Sequence, residues 1–254
     1  MYTRLFVGAL LAGLCAGALA ALIQLTFVVP LIVEAELYET GALTHFGTAA
    51  TKDHRDPAAA PAADPEVPAP AAEADHPTPA ATEPGQSLLG RSLGTVAMFL
   101  VTYTGFALLL VAGFALVERI GPERAGHQIT ARTGAIWGLC GFLAVQLAPA
   151  FGLPPELPGG QGAALEARQL WWAACVLATA GGLGLLAFGR NALALGTGAL
   201  LLAAPHLLGA PTAAFAGVAP PELSAHFTAR VLGAGAVCWA LLGTIAGAIW
   251  AKKV

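Results

Sequence analysis

The residues best able to do chemistry lie where the first apolar run ends, in Val28-Val29-Pro30-Leu31-Ile32-Val33-Glu34-Ala35-Glu36-Leu37-Tyr38-Glu39. Three carboxylates and a phenol follow a membrane-length hydrophobic stretch at once, and oxygen donors at that density can hold a cation. Acids this close repel one another unless a cation or a basic partner sits among them. If the helix continues through the motif, Glu34 and Tyr38 share a face at i, i+4, and Glu36 and Glu39 at i, i+3. If the chain becomes extended after Pro30, then Glu34, Glu36 and Tyr38 line up instead. The plainer reading is an acidic helix end in water, yet acids at a helix C-terminus oppose the macrodipole and have no stabilising reason to gather there. Glu34, Glu36 and Glu39 are therefore candidate metal ligands, with Tyr38 a weaker one.

A second candidate is His206, in Ala203-Ala204-Pro205-His206-Leu207-Leu208-Gly209-Ala210-Pro211. Pro205 lacks a backbone donor and obstructs the carbonyl four residues back, so the helix is expected to open beside the imidazole. An ionisable residue within a membrane segment is a functional-site hypothesis. The alternative is an interfacial histidine bonded to a backbone carbonyl. Three further histidines, His45, His54 and His76, lie between the first two apolar runs, two of them as Asp53-His54 and Asp75-His76. A carboxylate beside an imidazole can bind a divalent transition metal weakly, so these are weaker candidates. His127 reads as a solvated loop residue, and His226 lies just before the last apolar run.

The elements that must position these groups follow from composition. Hydrophobic residues make up 57% of the chain and charged ones 11%, against about one-quarter charged in a soluble domain, so the chain belongs in a lipid bilayer. Charge-free runs extend over Leu5 to Val33, Ser92 to Val117, Thr133 to Pro155, Gln169 to Gly189, Asn191 to Pro221 and Val231 to Ala251. Each reaches the roughly 20 residues that cross the hydrocarbon as a helix. The sequence predicts an all-α, polytopic transmembrane helical bundle of about six spans, one membrane domain over residues 1–254. The fifth run is interrupted by Pro205, Gly209 and Pro211, and is expected either to span or to form a broken or re-entrant element. Ala18-Leu19-Ala20 resembles a signal cleavage site, but apolar sequence continues to Val33, which favours an uncleaved helix.

Between Pro57 and Pro84 there are eight prolines, eleven alanines and no large apolar residue except Val67. Such a stretch cannot offset its ordering entropy, so residues 40–90 are expected to be a disordered, acidic extracytoplasmic loop. With both termini in the cytoplasm, seven basic residues fall inside and five outside, three of those five in the long loop where the rule weakens. Thirteen of the fifteen acidic residues then face outward. An acidic exterior vestibule concentrates cations.

Several function classes are excluded. A net charge of −3 with no basic stripe argues against a nucleic-acid partner. Cys15, Cys140, Cys175 and Cys238 lie in apolar runs without C-x-x-C spacing and read as packing residues. There is no H-E-x-x-H and no G-x-x-x-x-G-K-[ST] phosphate loop, and none of the serines Ser87, Ser92 and Ser224 lies well inside a span, so neither an enzyme nor a nucleotide hydrolase is expected. Gln24, Thr26 and Gln146 put polar groups at membrane depth, and the two glutamines are expected to hydrogen-bond between helices. Pro30 obstructs the carbonyl of Thr26, which then needs another partner. Gly13-x3-Gly17, Gly134-x3-Gly138 and Gly243-x3-Gly247 mark faces for close helix contact.

Several blocks resemble the cobalt transporter subunit CbtA family. They are Arg4-Leu5-Phe6, Gln24-x2-Phe27-Val28-Val29-Pro30-Leu31-Ile32-x-Glu34-Ala35-Glu36-x-Tyr38-Glu39, Ala148-Pro149-Ala150-x-Gly152-Leu153-Pro154-Pro155-Glu156-Leu157-Pro158-Gly159, Arg168-Gln169-Leu170-Trp171-Trp172 and Pro205-His206-Leu207-x-Gly209-Ala210-Pro211. They cover most of the chain outside residues 40–90. The resemblance implies a multi-pass cell inner membrane protein that takes up cobalt for cobalamin synthesis with a small single-span, histidine-bearing partner, CbtB. It supports Glu34, Glu36, His206 and Glu156 as site positions. Relatives often carry a dense histidine cluster in the first loop, whereas the histidines here are scattered. Donor chemistry alone leaves Co2+ and Ni2+ both open as cargo, and no permanently bound cofactor is expected. The implied path collects metal in the vestibule, binds it at Glu34 and Glu36, and passes it by His206 where the fifth segment approaches the first span. A non-transporting membrane scaffold, or accessory subunit of a permease complex, is the alternative.

Overall fold

The computed structural model describes residues 2–44, 88–120, 128–160, 162–213 and 217–252. His45, His54, His76 and nearly all of the loop expected over 40–90 lie outside the described residues. The helices are α1 (Tyr2–Ile23), a π segment (Gln24–Val28), α2 (Val29–Glu39), α3 (Leu88–Ile120), α4 (Ala131–Phe142), a second π segment (Leu143–Leu147), α5 (Ala148–Ala150), α6 (Leu165–Phe188), α7 (Ala192–Leu208) and α8 (Pro221–Ala251). No strand occurs among the described residues. The fold is an all-helical, polytopic membrane bundle: five helical stretches are long and apolar enough to cross a bilayer, and α7 is a shorter apolar helix of 17 residues.

Three boundaries depart furthest from the charge-free runs. The first helix runs to Glu39 and carries all three acids, because the π segment absorbs Pro30 without breaking the helix. The fifth stays helical through Pro205, whose ring lies in the last turn, so the helix does not open beside His206. It stops at Gly209, which has φ 80° and ψ 151°, a conformation open mainly to glycine. At about 1.5 Å per residue α7 is about 25 Å long. The last helix starts at Pro221, ahead of Val231, with proline in its first turn, where the missing N–H costs nothing. Nothing lies within 4 Å of a Cβ placed on Gly209. Gly209→Ala should therefore cost only the backbone term, about 1–3 kcal/mol, read as a lower melting temperature in detergent without loss of the helical signal.

Packing is governed by glycine. A Cβ on Gly134 would overlap the Gly243 carbonyl oxygen, and one on Gly138 the Trp239 carbonyl oxygen, so α4 and α8 meet backbone to backbone. Gly13 and Gly17 do the same against Thr104 and Phe99 of α3. The close-contact faces expected at 13/17, 134/138 and 243/247 are thus the α1–α3 and α4–α8 seams. The helix-1 stretch packs on α3 and α8, α4 packs on α8, and α6 and α7 form a hairpin that meets the rest mainly through α6. All four cysteines are free, with Cys175 and Cys238 buried in the packing.

Buried apolar residues form two clusters. The larger, with Ala9, Ala16, Phe114, Phe142, Trp239 and Leu242, fills the middle and one end of the bundle. The smaller joins Val28, Leu31, Ala35, Leu157, Leu223 and Phe227 at the other end.

Candidate functional site

The up-and-down helix order brings the end of α2, the start of α3, residues 150–168, the end of α7 and the start of α8 to one end of the bundle. Of the seven described acidic residues, Glu34, Glu36, Glu39, Glu156, Glu166 and Glu222 lie at this end. Glu118 lies at the other, where its carboxylate accepts a hydrogen bond from Trp250 Nε1.

Within the acidic motif, α2 turns Leu31 and Ala35 inward and leaves Glu34 and Glu39 exposed. The continuous helix selects the i, i+4 pairing of Glu34 with Tyr38, and Tyr38 packs partly on the smaller cluster. Glu36 has a basic partner: Arg91 at the start of α3 donates to it at 2.6 Å and 3.5 Å. That bond relieves the repulsion among the three acids. Glu34 and Glu39 make no ion pair among the described residues. Both members of the Glu36–Arg91 pair are partly exposed, at 34% and 41%. Arg91→Ala should accordingly cost about 0.2–1 kcal/mol, and a double-mutant cycle with Glu36→Ala measures that coupling.

One backbone oxygen of the first π segment is met from another helix. Arg230 of α8 donates to the Phe27 carbonyl at 2.8 Å, one residue beyond the carbonyl that Pro30 was expected to expose. Thr26 Oγ1 donates to the Leu22 carbonyl of its own helix at 2.7 Å. Gln146 does not join two helices as expected: its Oε1 is buried against Gly235 with no hydrogen-bond partner among the described residues.

His206 sits at the end of α7, exposed, with the rings of Phe151 and Trp171 edge-on at 6.1 Å and 6.3 Å. It opens on a cavity of about 1590 Å³ that Glu156 and Trp171 also line. A neighbouring cavity of about 400 Å³ is lined by Gln146, Glu156, Arg168, Gln169 and Trp172. Glu156 therefore borders both, and Arg168 holds it by an ion pair of 3.1 Å. Glu34, Glu36 and Glu39 line neither cavity, although Glu39 lies close to the turn at Gly159. Against expectation, α7 packs on α6 and not along the first span, because Gly182 and Gly198 bring those two helices into backbone contact. The structure thus joins His206 to Glu156 and keeps the acidic motif apart from both.

Sequence reasoning gave no role to Arg91, Phe151 or Trp171. Arg168 and Trp171 stood in a recognisable block, but their partners lie in other spans and left no local signal. Among the described residues no three His, Cys, Asp or Glu side chains are grouped to hold a metal ion. The arrangement offers sparse oxygen and nitrogen donors and, among the described residues, no closed cage.

The family described as "Probable cobalt transporter subunit (CbtA)" matches residues 2–251, nearly the whole chain. The chain belongs to the CbtA family. Searches of curated proteins and of solved structures returned no match. Family and fold together make this CbtA-family chain a multi-pass membrane protein of a transporter-subunit family, a description that suggests transport and not enzyme chemistry.

Proposed function

We propose that this chain is the membrane subunit through which a divalent transition metal, Co2+ in the first instance, crosses the cell inner membrane for cobalamin synthesis. The observation that carries the reading is the shared position of Glu156 on two adjoining cavities, with His206 in the outer and the unpartnered Gln146 oxygen on the inner. A conducted ion must be held firmly enough to enter and weakly enough to leave. Two or three spaced donors meet that requirement better than a four-ligand cage. Glu34, Glu36 and Glu39, with Tyr38 beside them, supply negative potential at the same end and gather cations there. That end faces outward and both termini face the cytoplasm, as the surplus of basic residues in the short loops favours.

His45, His54 and His76 would add weak metal capture from the loop. The family description as a subunit supports a partner, for which a small single-span histidine-bearing protein of the CbtB kind is the proposed one. No phosphate loop is present, so the membrane potential or the partner supplies the driving force. Ni2+ would compete, since carboxylate and imidazole donors do not favour cobalt over nickel.

The scaffold reading differs in one outcome. In a channel or carrier, Glu34→Ala with Glu36→Ala should lower metal accumulation severalfold while the complex with the partner still assembles. Unchanged accumulation with intact assembly would make the chain a scaffold.

A further inference from the structure

Both π segments, Gln24–Val28 and Leu143–Leu147, have a proline two residues beyond their end, Pro30 and Pro149. An inserted residue and a missing N–H leave the helical ladder incomplete at the same level of two different spans. A side chain of another helix reaches the backbone at or next to each gap. Arg230 donates to the Phe27 carbonyl at 2.8 Å, and Trp172 Nε1 donates to the Val145 carbonyl at 3.2 Å.

The apolar interior divides at this level too. Ile23, Phe142, Leu147 and Leu232 belong to the larger cluster, whereas Val28, Leu157 and Val231 belong to the smaller. The segments beyond the two π turns are held to one another, since Leu31, Ala35 and Leu157 share the smaller cluster and Glu39 lies against Gly159. Only α8 runs unbroken through both clusters. Thr228 ties it to the outer unit through the Pro155 carbonyl at 3.1 Å. Residues 153–156 of that unit wall both cavities.

We propose that Val29–Glu39 and residues 148–160 form one outer gate that swings on the two π turns against α8, latched by Arg230 and Trp172. Movement of this unit would shift Glu156 and change the communication between the two cavities. Rigid inner helices and an outer unit of few buried residues are the arrangement in which such an opening occurs locally. The gate is argued from packing alone and holds whatever the cargo is.

Hydrogen exchange followed by mass spectrometry on the full chain in lipid nanodiscs tests it without any transport assay. Useful reporters are the amides of α2 and those of Phe151, Gly152 and Leu153, which bond to Ala148 and Pro149 at 3.2, 3.1 and 2.8 Å. Arg230→Met removes a charged donor, and should speed exchange by about tenfold in both outer segments, including 150–153, which Arg230 does not touch. Trp172→Phe should speed both by about threefold, and Arg230→Lys should restore most of the protection. Exchange in residues 8–20 and 235–250 should not change. Acceleration confined to the segment that the mutated side chain touches, acceleration in neither, or acceleration spread through the inner helices would each overturn the gate.

Discussion

Replacing Gly243 with leucine is expected to lower the melting temperature of the bundle substantially. The α-carbon of Gly243 faces the Gly134 carbonyl and the backbone of Gly138, with nothing but backbone on the opposing side. A side chain there has no flexible neighbour to displace, so α4 and α8 must separate along their whole seam. That seam is the most extensive helix contact among the described residues, and it also seats Trp239 and Leu242 in the larger cluster. Overpacking of this kind costs about 3 kcal/mol or more. In a chain of this size that corresponds to a drop of about 6–12 °C in Tm. Thermal unfolding in detergent reads it, with Gly94→Leu as the comparison, since a Cβ at Gly94 meets nothing within 4 Å. A melting temperature for Gly243→Leu equal to that of Gly94→Leu would show that the seam does not hold the bundle.

The second large effect concerns transport. His206 and Glu156 are a nitrogen and an oxygen donor on one cavity, and Glu156 alone reaches the next. Losing even a supporting group at a metal position typically costs about 10–100-fold in affinity or activity. His206→Ala and Glu156→Gln should each reduce cobalt uptake by at least about tenfold. Glu156→Gln also releases Arg168, so Arg168→Gln is the necessary control. If Glu156 acts on the metal, Arg168→Gln keeps most of the uptake. If Glu156 serves only to hold Arg168, the two variants fall together.

The bundle is readable because lipid imposes its own length and composition rule on each span, and Gly-x3-Gly spacing marks the faces that form the α1–α3 and α4–α8 seams, though not the Gly182–Gly198 contact of α6 with α7. Helix ends were harder. The charge-free runs could not show that Pro30 would be absorbed by a π turn, or that α8 would continue outward past Arg230, His226 and Glu222. Both outcomes depend on tertiary partners, the Phe27 carbonyl and the Pro155 carbonyl, that lie far away in sequence. The acidic motif announced itself locally, yet its partner Arg91 stands 55 residues further on. His206 was visible for the same local reason. Phe151 and Glu156 come from the turn after α5 and Trp171 from α6, and only the fold brings them to one cavity with it. Placing the fifth segment beside the first failed because Gly182 and Gly198 hold α7 in backbone contact with α6, its neighbour in the chain.

Radiolabelled cobalt uptake by cells producing this chain with its partner tests the central claim most directly, comparing wild type with His206→Ala and Glu156→Gln at matched membrane abundance. The account predicts strong uptake by the wild type and at least about a tenfold loss in each variant. Equal uptake by all three would contradict it.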